Sequence, residues 1–208
     1  MISIHKNKKT KSGALQLAMK RLIDIMVSAA GLVLFSPAFL LAYILIKRED
    51  GGEVIFRQER VGYKGEIFTL LKFRSMTMTA EADGKPALCQ AKDKRLTKVG
   101  RFLREHHLDE MPQLWNVLIG EMSLVGYRPE RMFFVEQIRA INPDYDRLYA
   151  MRPGVFSYAT LYNGYCDNME KMLERLRLDL EYLDNHSLWF DCKIIFCTLY
   201  SILTGKKF

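Results

Sequence analysis

The sequence predicts a mostly helical α/β chain in two parts. The first is a helix–break–helix segment that re-enters the membrane, and the second is a small α+β domain with amphipathic helices at the membrane interface. A long apolar run over residues 22–46 predicts the first part. Two extended runs around a glycine turn, followed by apolar residues at helical spacing, predict the second. The predicted division is a basic tail over residues 1–19, the membrane segment over 20–48 and the domain over 49–208.

The apolar run is long enough to cross a membrane, and its residues are equally compatible with a crossing and with re-entry from one side. As a helix it would reach roughly 37 Å, against about 30 Å for the hydrocarbon core. Ser36 and Pro37 interrupt it, and a proline inside a helix removes one hydrogen bond. The Ser36 hydroxyl can bond a carbonyl that the proline frees. Basic residues flank both ends, as is typical of the cytoplasmic side. A kinked transmembrane helix is the alternative that these residues leave open.

The composition indicates an anionic partner and a reducing compartment. Lys and Arg number 31 against 24 Asp and Glu, so the net charge is +7. Because the chain also carries a long apolar run, we expect that partner to be an anionic phospholipid membrane, and we expect no nucleic acid binding. The four cysteines lack metal-site or disulfide spacing, so free thiols are expected. The apolar run is too long for a signal peptide core, so it should remain attached as an anchor.

A β-hairpin is predicted from the extended runs of residues 54–56 and 67–73, which a glycine turn separates. Basic residues gather at its ends, Lys72 and Arg74 among them. Solvation of the surface explains most basic residues, but a dense cluster beside an anchor is a candidate for holding phosphate. A polar loop is predicted over residues 77–94.

Residues 95–119 contain the candidate catalytic pair, Asp109 and Glu110. The pair lies just before Pro112, where a second helix is predicted to begin. Carboxylates at a helix start are commonly caps and dipole partners. Here basic residues precede them within residues 95–104, so we interpret the pair as ligands of Mg²⁺ that can also attack phosphorus.

The remaining segments are predicted as follows. Residues 120–130 form a loop in which an arginine between turn residues can present a fork to phosphate. Residues 131–150 and 168–185 are helices. Residues 151–165 are a loop leading into a short extended run, and the apolar last stretch from residue 188 is a helix, either buried or, as we favour, in the membrane interface. His106 and His107 are read as surface or packing residues.

With these features together, the chain resembles the monotopic phosphoglycosyl transferases, a group of bacterial sugar transferases, in their minimal form. The motifs that carry the resemblance are KRLIDIMVSAAGLVLFSPAFL (20–40), IFRQERVGYKGEIFTLLKFRSM (55–76), RLTKVGRFLREHHLDEMPQLWNVLIGEMSLVGYRPE (95–130), MRPGV (151–155) and LDLEYLDNHSLWFD (178–191).

The resemblance implies a reaction and its components. A phosphosugar passes from a UDP-sugar to undecaprenyl (polyprenyl) phosphate, UMP is released and Mg²⁺ is the cofactor. Asp109 would be the nucleophile that forms a phosphosugar-aspartyl intermediate, and Glu110 would bind the metal. Ser36 and Pro37 would shape the re-entrant helix in the bacterial inner membrane, with the catalytic domain on the cytoplasmic face. A homodimer is left open.

The resemblance also assigns Lys72, Arg128 and Asp179 to substrate binding. We add to them two charged neighbours, Arg74 and Glu130. The chain departs from the family pattern at three places. These are His106-His107 before the Leu-Asp-Glu, Tyr127 in place of a proline, and Pro153–Ser157, which reads PGVFS in place of PGxTG. The last two leave the identity of the sugar open.

A protein of another class remains as the rival interpretation. A membrane-anchored binding or scaffold protein would use Asp109 and Glu110 only as a helix cap. That interpretation predicts that Asp109→Asn keeps function, whereas the enzyme interpretation predicts a loss of activity to background.

Overall fold

The computed structural model describes residues 11–80, 93–164 and 166–204. Within them the chain is mostly helical with two small sheets, and 3₁₀ turns lie at residues 63–65, 108–110 and 143–150. The helices are α1 (Lys11–Leu34), α2 (Ser36–Asp50), α3 (Lys98–Glu105), α4 (Gln113–Ile119), α5 (Met132–Ile141), α6 (Tyr158–Asn163), α7 (Met169–Asp184) and α8 (Leu188–Leu203). The strands are β1 (Ile55–Val61), β2 (Ile67–Phe73), β3 (Ser123–Val125) and β4 (Gly154–Phe156).

The apolar run forms two helices that meet at a bend of 59°. Pro37 has no N–H to donate to the carbonyl of Val33, four residues earlier. The Ser36 hydroxyl donates to that same oxygen at 2.8 Å, as the sequence suggested. In the described part of the chain no single helix is long and apolar enough to cross a membrane, whereas α1 and α2 together satisfy that test by length and composition.

The domain is built around one antiparallel and one parallel strand pair. β1 and β2 form the predicted hairpin, with Ile55 opposite Phe73 and Val61 opposite Ile67. β3 and β4 pair in parallel, with Ser123 opposite Gly154. Side chains from β2, α4, β3 and α8 bury together in one core cluster, and β1, α5 and α7 contribute to a second.

Polar contacts fasten α1 to the domain. The Arg21 guanidinium donates to the carbonyls of Val117 and Leu118 at the end of α4, at 2.6 and 2.9 Å. The Asp24 carboxylate, only 3% exposed, accepts the Leu124 N–H at 3.0 Å. A cation near the C-terminus of a helix is stabilised by the negative end of the helix dipole. Arg21, just before the apolar run, and Asp24, within it, therefore hold α1 against the domain.

A second contact joins α1 to the end of the chain. Lys20 forms an ion pair of 2.7 Å with Asp191 of α8, and both side chains are largely buried. Asp191 also accepts the Tyr182 hydroxyl at 2.5 Å. Three helices, α1, α7 and α8, thus meet at one carboxylate.

Sequence and structure differ at three segments. The helix predicted over residues 131–150 ends at Ile141, because Asn142 is extended before Pro143 and a 3₁₀ turn follows. The loop predicted over 120–130 contains β3, which is too short to show a periodic pattern. The segment 151–165, predicted as a loop leading into a short extended run, contains the short strand β4 but also α6, which Ser157 caps by accepting the Thr160 N–H.

The other predicted elements are present. The hairpin, the helix before Asp109, the helix after Pro112, and α7 are confirmed. Of the described cysteines, Cys166, Cys192 and Cys197 are free, as predicted. The basic tail before residue 11, Cys89 and most of the polar loop predicted over 77–94 lie outside the described residues. α8 carries strongly exposed apolar side chains, with Trp189 81% and Phe196 70% exposed.

Candidate active site

Asp109 and Glu110 lie in the 3₁₀ turn that leads into α4. His107 precedes this turn in a left-handed conformation, with φ of 56°, which is uncommon for a residue other than glycine. The chain therefore reverses sharply after α3 and presents two adjacent carboxylates between the helices. Asp109 is 6% exposed.

Glu110 is held by two cations that come from distant parts of the sequence. Lys72 Nζ lies 2.7 Å from Glu110 Oε1, and Arg128 binds both Glu110 oxygens, at 2.5 and 3.3 Å. An Arg–carboxylate pair with two bonds fixes orientation as well as charge. By contrast, the ion pairs found among the described residues do not include Asp109.

The two carboxylates therefore have opposite pKa shifts. Burial raises the pKa of Asp109 to about 6, although the charge of Lys72 opposes this rise. Burial alone would also raise the pKa of Glu110, but the charges of Arg128 and Lys72 outweigh it and hold that pKa well below its usual range. Burial lowers the pKa of Lys72, against the charge of Glu110. Neighbouring acids whose pKa values are driven apart are typical of sites with a division of roles.

Arg74 is the predicted site residue that the structure places elsewhere. β2 ends at Phe73, and the Arg74 side chain turns to Asp50 at the end of α2, with two contacts of 2.5 Å. The hydrogen bond to Arg74 lowers the pKa of Asp50 to about 2. Arg74 thus joins the hairpin to α2, while Lys72 reaches the acidic pair.

Glu130 lies in a buried group of charges behind Arg128. It accepts from Arg60 at 3.0 Å and also pairs with Arg175 of α7. Arg60 additionally donates to the carbonyl of Pro129 at 3.0 Å. The loop after Arg128 is therefore fixed from both sides, by β1 and by α7. The geometry makes Glu130 a support for this loop.

Asp179 supports the same loop from α7. Its carboxylate accepts the Ser157 hydroxyl at 3.1 Å and interacts with the Arg128 backbone N–H. Burial raises the pKa of Asp179 to about 7, while Arg175 and these bonds act in the opposite direction. A cavity of about 10 Å³, with room for about one water molecule, lies between Asp179, Glu130 and Arg175.

The three departures from the family pattern occupy different surroundings. His106 stacks on Phe102 and bonds its carbonyl, as expected of a surface residue. His107 is half-buried and near the charges of Glu110, Arg128 and Lys72, and burial lowers its pKa. Tyr127 is fully buried in the core. Ser157 of the PGVFS segment is the partner of Asp179.

The site offers some, but not all, of the oxygen ligands that a hard cation such as Mg²⁺ needs. In the ranges that the structure describes, no group of three or more His, Cys, Asp or Glu side chains is arranged to hold a metal ion. Mg²⁺, however, commonly uses one or two carboxylates and completes its shell with substrate phosphates and water. Asp109 and Glu110 fit that pattern. A larger groove of about 400 Å³ lies between β1 and the start of α5 and does not include this pair.

Fold and site together define a class of protein. An anchor-like helix pair is joined to a domain where a buried carboxylate lies beside an ion-paired one and two cations, which suits chemistry on phosphate. The sequence matches the bacterial sugar transferase family over residues 15–205, and the chain belongs to that family.

Individual relatives are similar over most of this chain. The UDP-N-acetylgalactosamine-undecaprenyl-phosphate N-acetylgalactosaminephosphotransferase of Aeromonas hydrophila is 40% identical over 187 residues, which cover 90% of this chain and 44% of the relative. The UDP-glucose:undecaprenyl-phosphate glucose-1-phosphate transferase of Klebsiella pneumoniae is 42% identical over 195 residues, covering 93% and 42%. This chain thus spans less than half the length of both relatives.

One relative matches over its full length. The exopolysaccharide production protein PSS of Rhizobium leguminosarum bv. phaseoli is 37% identical over 205 residues, which cover 93% of this chain and 100% of the relative. The first two relatives are named for different sugars, N-acetylgalactosamine and glucose. Similarity at this level therefore does not specify the sugar.

Proposed function

We propose that this chain transfers a phosphosugar from a UDP-sugar to undecaprenyl phosphate, giving undecaprenyl-diphospho-sugar and UMP. Family membership and the activities for which relatives are named support the reaction class. The observation that carries the proposal for this chain is the difference between its two adjacent carboxylates. Glu110 is tied to Lys72 and Arg128, whereas Asp109 is buried without an ion pair among the described residues.

Asp109 is suited to act as the nucleophile. A carboxylate with a pKa of about 6 is mostly ionised at neutral pH, yet its burial leaves it poorly solvated. An oxygen of Asp109 attacks the phosphorus that bears the sugar. The bond from that phosphorus to the bridging oxygen breaks, and UMP leaves with the electron pair. The product is a phosphosugar joined to Asp109.

The second step restores the enzyme. A phosphate oxygen of undecaprenyl phosphate attacks the same phosphorus, and the bond to Asp109 breaks, so that the carboxylate is regenerated. Because the phosphosugar is held covalently between the steps, the soluble donor and the lipid acceptor need not bind together.

Lys72 and Arg128 would stabilise the charge that develops on the phosphorus oxygens. Both already converge on Glu110, so they are positioned before substrate arrives and need little reorganisation. Glu130 and Asp179 hold the loop that carries Arg128, and Arg74 holds the hairpin against α2. We assign these three residues to positioning of the substrate-binding site.

Asp109 and Glu110 would hold Mg²⁺ with oxygens of the donor diphosphate. When bound, the metal would neutralise phosphate charge that otherwise repels an attacking carboxylate. Glu110 keeps a low pKa in this site, so it is ionised and able to bind a cation at any physiological pH.

The bent pair α1 and α2 would enter the cytoplasmic face of the bacterial inner membrane and return to it. Its surface supports this placement, because large apolar side chains such as Val33 and Leu34 are 76% and 72% exposed. Apolar patches of this kind are unfavourable in water. α8, with Trp189 and Phe196 exposed, would lie in the interface. The site would then lie at the depth of lipid phosphates.

UMP release tests the proposal. This chain is incubated with undecaprenyl phosphate, Mg²⁺ and each of a panel of UDP-sugars. We expect release with at least one sugar, and a fall to background in Asp109→Asn. The control is Asp144→Asn, an exposed aspartate outside the site, which should retain wild-type release. Without acceptor, mass spectrometry of the peptide with Asp109 should find one added phosphosugar. No UMP with any sugar, or full activity in Asp109→Asn, contradicts the proposal.

A further inference from the structure

Asn116 of α4 binds the backbone of β2 as a neighbouring strand would. It is 1% exposed. Its Oδ1 accepts the Leu71 N–H at 3.1 Å, and its Nδ2 donates to the Thr69 carbonyl at 2.8 Å. One side-chain amide therefore satisfies a donor and an acceptor at the partly buried edge of β2, groups that otherwise cost free energy when they are shielded from water and unpaired.

The orientation of this amide is fixed by the surrounding contacts. Its Nδ2 also donates to Glu121 Oε2 at 2.7 Å, so both amide hydrogens are used. The backbone carbonyl of Asn116 accepts the N–H groups of Gly120, Glu121 and Met122, at 3.0 to 3.2 Å, so the turn after α4 closes around this oxygen. Asn116 is thus a fixed point between α4 and β2.

The two elements that Asn116 joins carry the two sides of the candidate active site. Lys72 directly follows Leu71 in β2, and its Nζ lies 2.7 Å from Glu110. Glu110 and Asp109 lie in the turn that leads into α4. A lysine ends in a flexible four-carbon stem, so the position of its backbone decides where its charge is held.

We propose that Asn116 is a positioning residue for phosphosugar transfer, because it holds the backbone of β2 at the distance from α4 at which Lys72 meets Glu110 and the substrate phosphate. The inference rests on the proposed function. Asn116 is buried and does not touch substrate, so it acts through Lys72.

An apolar residue at this position could fill the space but could not make the two hydrogen bonds to the backbone of β2. Val117 and Leu70, which neighbour Asn116 and Leu71 in the sequence, belong to one core cluster. A leucine in place of Asn116 would fill similar space but leave the Leu71 N–H and the Thr69 carbonyl unpaired. Leaving these partly buried groups without a partner costs free energy, which a movement of the strand towards water relieves. β2 would shift, and Lys72 with it.

Activity of Asn116→Leu is the first test. Misplacement of a catalytic group by about 1 Å can cost about 10²-fold in rate, so we expect kcat to fall by about that factor while KM for the UDP-sugar changes less. The control is Val117→Ala, which removes buried volume from the next residue of the same helix but keeps the Asn116 contacts. It should retain most of kcat. If Asn116→Leu does not fold, Glu121→Ala is the second variant. It removes the Glu121 carboxylate that orients the Asn116 amide, and it should therefore also lower kcat.

A double variant separates positioning from general stability. If Asn116 acts through Lys72, the double variant Lys72→Met with Asn116→Leu should have a kcat close to that of Lys72→Met alone. Losses that multiply would overturn the proposal.

Hydrogen exchange tests the contact without the reaction. Peptides covering β2 should exchange faster in Asn116→Leu than in wild type or Val117→Ala. Unchanged exchange would overturn the proposal even if activity fell. A wild-type chain that releases no UMP would instead contradict the proposed function, and exchange would still decide whether Asn116 holds β2.

Discussion

Lys72 Nζ lies 2.7 Å from Glu110 Oε1, although 38 positions separate the two residues. Their side chains are 18% and 15% exposed, so the pair is largely buried. Arg128 binds the same oxygen from a third segment. The candidate site is therefore assembled around Glu110, while Asp109 beside it stays outside these ion pairs.

This buried pair should contribute to stability. Lys72→Met leaves one of the bonds of Glu110 unmade inside the protein, which should lower the free energy of unfolding by about 1–3 kcal/mol. The comparison is Arg177→Met, which breaks the exposed pairs with Glu174 and Glu181 and should lower Tm less, because exposed ion pairs are screened by solvent. Thermal unfolding in detergent measures both. Equal shifts in Tm would argue against a buried pair at Lys72.

Asp179 predicts a pH dependence of stability. Its pKa is about 7 in the folded chain, against about 3.9 when unfolded, so the folded state binds the proton more tightly. Stability from this proton is fully present below about pH 4 and is lost as the pH rises through 7, on the order of 1 kcal/mol per unit. Asp179→Asn is neutral throughout. Its Tm relative to wild type should therefore be higher at pH 8 than at pH 5.

The control for this pH series is the exposed Asp184, which pairs with Arg147 on the surface. Asp184→Asn should shift Tm by a similar small amount at both pH values. A Tm difference between Asp179→Asn and wild type that stays constant from pH 5 to pH 8 would contradict a raised pKa at Asp179.

Asp24 should stabilise the contact between α1 and the domain. Asp24→Ala leaves the Leu124 N–H buried without a partner, which should cost about 1–3 kcal/mol of unfolding free energy. Asp24→Asn keeps an oxygen acceptor and should lie close to wild type. The measurement is Tm in detergent, with hydrogen exchange at β3. If both variants unfold alike, the charge of Asp24 and not its hydrogen bond is what matters.

The parts of the fold that could be predicted have signals within a few residues. The hairpin is visible because extended runs flank a glycine turn, and the break at Ser36 and Pro37 follows from one missing N–H. β3 could not be predicted, since its three residues gain stability from pairing with β4, about 30 positions away. The end of α5 has a local signal in Pro143, because the residue before a proline is disfavoured in a helix.

The candidate site shows the same division. Asp109 and Glu110 are adjacent, so the sequence displays them together. Lys72 and Arg74 are both basic and two apart, but only folding separates them, because β2 ends between them and Arg74 meets Asp50. Asn116 has no sequence signal, since an asparagine inside a helix acquires its partners only when β2 packs on α4.

Sidedness of the bent pair α1 and α2 is the remaining prediction. If the pair re-enters the membrane, both of its ends lie on the cytoplasmic face. A chain in which all four native cysteines are replaced receives one new cysteine, Ser3→Cys before α1 or Glu53→Cys after α2. Both should react with a membrane-impermeant maleimide in inside-out vesicles and neither in intact cells with a permeabilised outer membrane. UMP release by each variant confirms that it is folded. Labelling of the two positions from opposite sides would mean that the bent pair crosses the bilayer as a kinked helix, since only a crossing separates residues 3 and 53.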